Sequence, residues 1–248
     1  AIRTYEGLWL PDISQVRNPR LIEALRVAVV KLGGVIHTSR EVTAVTSSGS
    51  RITEVHTVSG TFTADQYVFA TGAWSGGFLP EFKSIHEACG LRGSPQIRPI
   101  RGQMLLFKLA PGVLNTIIYR KGLYLIPRRD GHILVGSTLE DAGFDKATDL
   151  PTRQRLHAEA AQLLPVLGTV QPVQHWAGLR PGSPDNIPII DRHPDFDNVG
   201  TSLRQARKNG STCFEVGIAS GNKSDERFSV LFFELRKTGF DARRRGHT

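Results

Sequence analysis

The feature that most constrains the fold is the shortness of the apolar runs. Residues 66–70, for example, form a short run, apolar from Tyr67 to Ala70, that is bounded by Asp65 and by Thr71-Gly72. Runs this short are typical of β-strands separated by turns, whereas a membrane span needs about 18 apolar residues. Because helical periodicity is confined to two segments, the sequence predicts a mixed α/β protein without internal repeats or membrane spans.

Residues 18–64 predict a helix followed by an antiparallel meander. Asn18 is expected to cap the helix, with Pro19 at its first position. Apolar residues then recur at spacings of three and four as far as Gly33, so one face should pack on a sheet. Short strands are predicted over residues 35–37, 42–45, 52–58 and 61–64.

A glycine-rich loop follows the strand predicted over residues 66–70. It runs from Thr71 to Gly77 and contains three glycines. Glycines let the backbone approach a flat or phosphorylated ligand closely. An ordinary connection between a strand and a helix explains the same residues.

A second strand-rich block occupies residues 103–137. A helix is predicted to begin at Leu150-Pro151 and to end before Pro165, and residues 171–180 form a further strand. The period of two in that strand places Trp176, Gly178 and Arg180 on one face. The planar guanidinium of Arg180 would suit a carboxylate in a cavity, and a structural salt bridge is the alternative.

The sequence excludes several common kinds of site. No two of the 25 glycines are separated by one residue, so the G-x-G-x-x-G dinucleotide loop is absent. The signatures of P-loop nucleotidases, zinc proteases and serine hydrolases are absent as well. Cys89 and Cys213 are far apart, which fits a reducing compartment and excludes a zinc site built from cysteines.

An acidic stretch near residue 195 resembles a set of cation ligands. It lacks the turn glycine and the closing glutamate of a calcium loop. A plain loop is therefore predicted, and no metal site is expected. The alternating residues are Asp191, His193, Asp195 and Asp197.

The net charge of +8 is concentrated at the end of the chain. Residues 201–248 hold 10 Lys and Arg against 5 Asp and Glu, and all 14 prolines precede residue 200. A separate basic tail is predicted, with unspecific phosphate affinity and no specific nucleic-acid partner. Because the first residues lack a secretion signal, we expect a cytoplasmic protein.

Four segments in a fixed order resemble the FAD-dependent D-amino-acid oxidase superfamily, and most closely its glycine oxidases of thiamine biosynthesis. They are residues 71–75, 99–104, the hairpin of 124–127 with 135–139, and 176–181. Each segment is weak alone, whereas their order and spacing over residues 5–199 are specific.

The resemblance implies part of a two-domain flavoprotein, with an α/β FAD domain and an α+β substrate region. A partial FAD-binding domain is expected over residues 1–90 and a substrate-binding mixed sheet over 91–175. Residues 176–199 would return toward the FAD domain, and 200–248 would be a divergent basic tail.

The resemblance also implies oxidative deamination of glycine or another small amino acid, by hydride transfer to FAD with oxygen as final acceptor. Arg180 and Tyr124 would be catalytic residues that bind the substrate carboxylate. Val42 would contact the adenosine end of FAD through its backbone. The residues expected near the flavin are Thr71, Gly72, Ala73 and Trp74.

The chain also departs from the family pattern. Relatives begin with a strand, a glycine-rich turn and a helix, and continue after Val199 into a second arginine turn that cannot be aligned here. Asp191 replaces an expected glycine. We therefore expect a fragment that associates either with a second copy or with a complementary half. The alternative function is an inactive remnant, or half of a split flavoenzyme that does not hold FAD alone.

Overall fold

The computed structural model describes residues 7–77, 97–183, 189–193 and 195–203. Cys89, Cys213 and residues 204–248 of the predicted tail lie outside these ranges. The described α-helices are α1 (Asn18–Lys31) and α2 (Leu150–Leu163). The described strands are β1 (Val42–Ser48), β2 (Arg51–Thr57), β3 (Gly60–Phe62), β4 (Tyr67–Phe69), β5 (Arg98–Lys108), β6 (Ile118–Arg120), β7 (Leu123–Pro127), β8 (His132–Gly136), β9 (Gln174–Gly182), β10 (Ile189–Arg192) and β11 (Val199–Leu203).

Two small sheets form the first part of the fold. Strands β1, β2 and β3 make the predicted antiparallel meander. In the second sheet, β11 pairs parallel with β4 and antiparallel with β10. Strand β11 therefore includes residues 200–203, which the sequence analysis assigned to the basic tail. The buried side chain of Asn198 joins the two sheets, because it accepts from the amide of Ile52 at 3.0 Å and donates to its carbonyl at 2.8 Å.

A five-stranded sheet in the order β6-β7-β8-β5-β9 forms the second part. The sequence predicted a mixed sheet here, whereas all neighbouring strands in this sheet pair antiparallel. Short turns join β6 to β7 and β7 to β8, which produces antiparallel neighbours. Strand β9 reaches Gly182, so residues 176–182 belong to the same sheet as the region predicted over 91–175.

Helix α2 covers one face of this five-stranded sheet. Its N-cap, Asp149, accepts from the backbone amide of Thr152 at 2.7 Å, as is typical of helix starts. The apolar face predicted for the helix is confirmed. The buried cluster includes Leu156, Ala160, Leu163 and Leu164 together with Leu105, Phe107, Leu125, Ile133 and Val135 of the sheet.

Helix α1 differs from the prediction at its start and on its face. Its N-cap is Arg17 rather than Asn18, because the Arg17 carbonyl accepts the first bonds from the amides of Arg20 and Leu21. No residue of α1 is buried among the described residues, so the predicted packing on a sheet is not seen there. Residues 35–37 form no strand, since their backbone pairs with no strand in the part of the chain that the structure describes.

The acidic stretch is divided between β10 and the loop that follows it. His193 is buried, and its Nδ1 accepts from the Asp195 amide at 3.1 Å. In the ranges described, no three His, Cys, Asp or Glu side chains are grouped as metal ligands. None of the helices in these ranges has the length and apolar character that crossing a membrane requires.

Replacing Asp149 by Asn should make thermal stability less sensitive to acid. Hydrogen bonds from the Gln103 side chain and the Thr152 amide hold the pKa of Asp149 at about 2, below its ordinary 3.8. A carboxyl whose pKa falls on folding stabilises the protein above its unfolded pKa, and this contribution is lost as pH drops from about 4 to 2. We expect a smaller fall in Tm between pH 6 and pH 3 for Asp149→Asn, measured by circular dichroism. Equal falls in both proteins would contradict this role.

Candidate functional site

The five-stranded sheet has a second face, opposite α2, that is neither fully buried nor fully exposed. Side chains alternate along β5, so Leu105 and Phe107 point to the core while Met104 points to the other face. On that face Tyr124, Met104, Trp176 and Arg180 are all half-buried. A face of this kind offers both apolar contact and polar groups to a ligand.

A row of residues crosses this second face from β7 to β9. Tyr124 pairs with Gly136, Gly136 with Met104, and Met104 with Trp176. A Cβ atom on Gly136 would lie 2.9 Å from the hydroxyl of Tyr124 and 2.9 Å from Cγ of Met104. Glycine at position 136 therefore lets the Tyr124 hydroxyl lie directly over β8.

The side chain of Arg180 passes over a glycine of β5, as the Tyr124 hydroxyl lies over a glycine of β8. A Cβ atom on Gly102 would lie 2.7 Å from the guanidinium carbon of Arg180, so this group occupies the space above Gly102. Beyond β5, Nη2 of Arg180 donates to the hydroxyl of Ser137 at 2.7 Å, and Nη1 donates to the carbonyl of Thr138 at 3.3 Å. The arginine of one edge strand thus reaches the residues that follow β8.

The two residues predicted to bind a carboxylate converge at the end of β8. The Tyr124 hydroxyl lies over Gly136, and the Arg180 guanidinium bonds to Ser137 and Thr138. Tyr124 is on β7 and Arg180 on β9, and the family resemblance had implied that both bind one carboxylate. A cation and a hydroxyl on a half-buried face are the donors that a carboxylate requires.

A polar network on the opposite side of β5 holds the segment after β8. The side chain of Gln103 is fully buried, and its Nε2 donates to Glu140 at 3.0 Å and to Asp149 at 2.7 Å. Nε of Arg101 donates to Glu140 at 2.7 Å. Burial raises the pKa of Glu140, but hydrogen bonds from Thr138, Arg101 and Gln103 outweigh it and hold this pKa below its ordinary value. Glu140 is therefore an anion that binds the segment to β5.

The residues predicted to lie near a flavin lie in or beside the 3₁₀ helix Gly72–Gly77. The Thr71 and Ser75 hydroxyls are 2.8 Å apart, and Ala73 is buried. Trp74 stacks on Phe144, with ring centroids 5.5 Å apart. This 3₁₀ helix contacts β5 and β9, so the loop and Arg180 belong to neighbouring parts of the molecule.

Val42 lies apart from Arg180 and Tyr124. It begins β1, and its buried side chain packs in a second apolar cluster that includes Phe69 and Val199. Phe69 ends β4, two residues before Thr71. Val42 therefore shares a core with the strand that leads into the 3₁₀ helix, and its contact with an adenosine group stays a prediction.

Sequence reasoning missed several residues of this site. Gly102, Gly136, Met104, Ser137 and Thr138 all contact or underlie the predicted pair. The sequence contained a signal for Gly102 and Gly136, because glycine inside a strand often marks the close approach of another group. Nothing in the local sequence indicated that Ser137 would meet a side chain 43 residues away.

Known proteins resemble this chain over most of its length. Glycine oxidase of Pseudomonas aeruginosa is 42% identical over 194 residues, which cover 78% of this chain and 51% of that protein. The bifunctional protein ThiO/ThiG of Synechocystis is 33% identical over 198 residues, covering 78% of this chain and 28% of that protein. The crystal structure of glycine oxidase from Geobacillus kaustophilus superposes with a TM-score of 0.66 at 26% identity, covering 77% of this chain and 49% of that one.

The chain spans about half the length of the glycine oxidases it matches. The solved structure supports the predicted α/β fold class with an α+β region. A family model described as "DAO: FAD dependent oxidoreductase" matches residues 2–207, so the match includes both β4 and β9. The chain therefore belongs to the DAO family of FAD-dependent oxidoreductases.

Proposed function

We propose that the protein oxidises a small amino acid, with glycine as the first candidate, and that FAD accepts the electrons. The observation that carries this proposal is the convergence of Arg180 and Tyr124 at the end of β8. A substrate carboxylate there would meet a guanidinium and a phenolic hydroxyl on a half-buried face. Hydrogen bonds with a charged partner are stronger in such surroundings than in water.

The described residues fit the ring end of FAD. The loop beside β5 and β9 carries Gly72, and the lack of a side chain there would let a planar group approach the backbone closely. These residues and Trp74 would hold the flavin, and the backbone of Val42 would contact the adenosine end. The phosphate end is assigned to no residue, because the sequence contains no G-x-G-x-x-G loop.

In the proposed reaction, the residues of this chain bind and orient the substrate. Arg180 binds the carboxylate, and Tyr124 donates its hydroxyl to the same group. Met104 and Trp176 supply apolar surface beside the carboxylate and reduce the access of water. FAD, when bound, supplies the acceptor for the hydride, and oxygen is the proposed final acceptor. Fixing the substrate in one orientation is the main contribution of these side chains.

The remaining expectations are part of this proposal. Strands β1 to β4 support an FAD-binding part over residues 1–90, and the pairing of β11 with β4 supports a return of the chain to that part. The five-stranded sheet supports a substrate-binding part that begins near residue 91. Association with a second copy or a complementary half is proposed, as is a cytoplasmic location. The exposed apolar residues of α1, including Leu25 and Val30, are consistent with such association.

Substrate oxidation can be tested directly on the protein supplied with FAD. Glycine, sarcosine and small D-amino acids should bleach the flavin spectrum without air, and air should restore it with release of peroxide. Bleaching without peroxide would assign a dehydrogenase. Failure of every amino acid to bleach bound flavin would contradict the proposed function.

Arg180→Leu should lower kcat/KM for the best substrate by roughly 30- to 4,000-fold. Removing one partner from an enclosed charged pair costs about 2–5 kcal/mol, and about 1.4 kcal/mol corresponds to a factor of ten. Tyr124→Phe removes one hydrogen bond to an anion and should cost about 1.5–3 kcal/mol. Arg155→Leu on the exposed face of α2, which removes an ion pair to Glu159, serves as the matched control.

A purely structural arginine would give a different pattern. Arg180→Leu would then lower Tm and flavin content, while the folded enzyme kept a normal kcat/KM. That result would remove Arg180 from the substrate site.

Trp74→Ala should weaken FAD binding about 2- to 10-fold, because an aromatic pair contributes about 0.5–1.5 kcal/mol. Trp74 stacks on Phe144, so Phe144→Ala should produce the same loss if the stack only holds the loop. A larger loss for Trp74→Ala would indicate direct contact with the flavin. Fluorescence titration of FAD measures both, and unchanged affinity in both variants would contradict the assignment of this loop.

A further inference from the structure

Ser137 and Thr138 lie between the candidate site and a buried polar network. On the site face they accept hydrogen bonds from Arg180, at 2.7 and 3.3 Å. On the other side, the hydroxyl of Thr138 accepts from the Gln103 amide at 2.8 Å. Thr138 and Gln103 are both buried, so water competes little for these bonds.

The same segment is also hydrogen-bonded to β5 two residues further along, at Glu140. The amide of Arg101 donates to the carbonyl of Glu140 at 2.8 Å, and the Glu140 amide donates back to Arg101 at 2.9 Å. The Glu140 side chain adds bonds from Arg101 and Gln103. Residues 137–140 therefore have a fixed place relative to β5, and a group bonded to them is fixed as well.

Arg180 reaches this segment only because Gly102 has no side chain. The guanidinium passes over β5 at Gly102, where a Cβ atom would lie 2.7 Å from its central carbon. An arginine side chain has several rotatable bonds, and ordering it during substrate binding would reduce affinity. A bond to a fixed acceptor orders the side chain beforehand.

We propose that Ser137 is a positioning residue, whose hydroxyl holds the plane of the Arg180 guanidinium toward the substrate carboxylate. This inference rests on the proposed function, since it assumes that Arg180 binds a carboxylate. Ser137 itself need not touch the substrate. It acts through the 2.7 Å bond to Nη2.

The test is carboxylate binding by the FAD-loaded protein and its Ser137→Ala variant. Acetate is the probe, because it has a carboxylate but no amine to oxidise, and calorimetry gives its Kd. We expect the Kd of acetate and the KM of the amino acid to rise about 10- to 140-fold, the range for one hydrogen bond with a charged donor. Most of the kinetic effect should be in KM rather than kcat, because ground state and transition state share the carboxylate contact. Ser137→Thr keeps the hydroxyl and should restore most of the affinity.

Two controls separate positioning from general damage. Ser50→Ala removes a similar hydrogen bond, 2.6 Å to Asp197, from a turn outside the site, and should leave the acetate Kd unchanged. Gly102→Ala should displace the end of Arg180 and weaken acetate at least as much as Ser137→Ala. Gly168→Ala is its matched control, because among the described residues a Cβ atom there would meet only Cβ of Ala161, at 3.4 Å. Melting curves of each variant would check that it is folded.

The outcomes for this inference and for the proposed function are distinct. If Arg180→Leu weakens acetate while Ser137→Ala and Gly102→Ala leave its Kd unchanged, the positioning role is wrong and the proposed function stands. If Ser137→Thr binds acetate as weakly as Ser137→Ala, the hydroxyl has no positioning role. If the unaltered protein binds no acetate and oxidises no amino acid, both are overturned.

Discussion

The arrangement of the candidate site depends on one side chain that crosses a strand. Arg180 extends from β9, passes over β5 at Gly102 and bonds to residues that follow β8. A charged group can make this crossing only where the intervening strand has no Cβ atom. Glycine inside a strand usually weakens it, so a central strand with glycine at this position gives up packing to accommodate another group. The position of the Arg180 guanidinium depends on the absence of a side chain at Gly102.

The five-stranded sheet separates structural from ligand-facing roles by its two faces. Toward α2, residues such as Leu105 and Val135 are fully buried and form a continuous core. Away from α2, Tyr124, Met104 and Trp176 are half-buried. Because successive side chains on a strand alternate, a single strand can serve both roles without compromise. The core face fixes the strands, and the strands in turn fix the distances between polar groups on the other face.

Buried polar groups link these two faces at the end of β8. Gln103 is fully buried and bonds to Glu140 and Asp149, and its backbone amide bonds to Thr138. A buried polar group is costly unless it is fully hydrogen-bonded, so a network of this kind has one favoured arrangement. Asp149 also caps α2. Gln103 therefore bonds both to the cap of α2 and to Thr138 in the segment that holds Arg180.

The sequence by itself determined most of the local elements and the kind of chemistry. The period of two placed Trp176, Gly178 and Arg180 on one face of a strand, and the apolar spacing placed Leu156 and Ala160 on the buried face of α2. Both follow from interactions between residues close in the chain, which composition and spacing express directly. The residue types and the order of short segments also indicated the family, and the family match over residues 2–207 agrees.

Only the tertiary structure decided which distant residues meet. The start of α1 differed by one residue, because the cap depends on which carbonyl accepts the first bonds. The pairing of strands in the five-stranded sheet and the contact of Arg180 with Ser137 join residues far apart in the sequence. Such contacts depend on the register between strands, which local patterns do not encode. The sequence thus named the arginine and the tyrosine, and the pairing of strands β7, β8, β5 and β9 brings them to the same place.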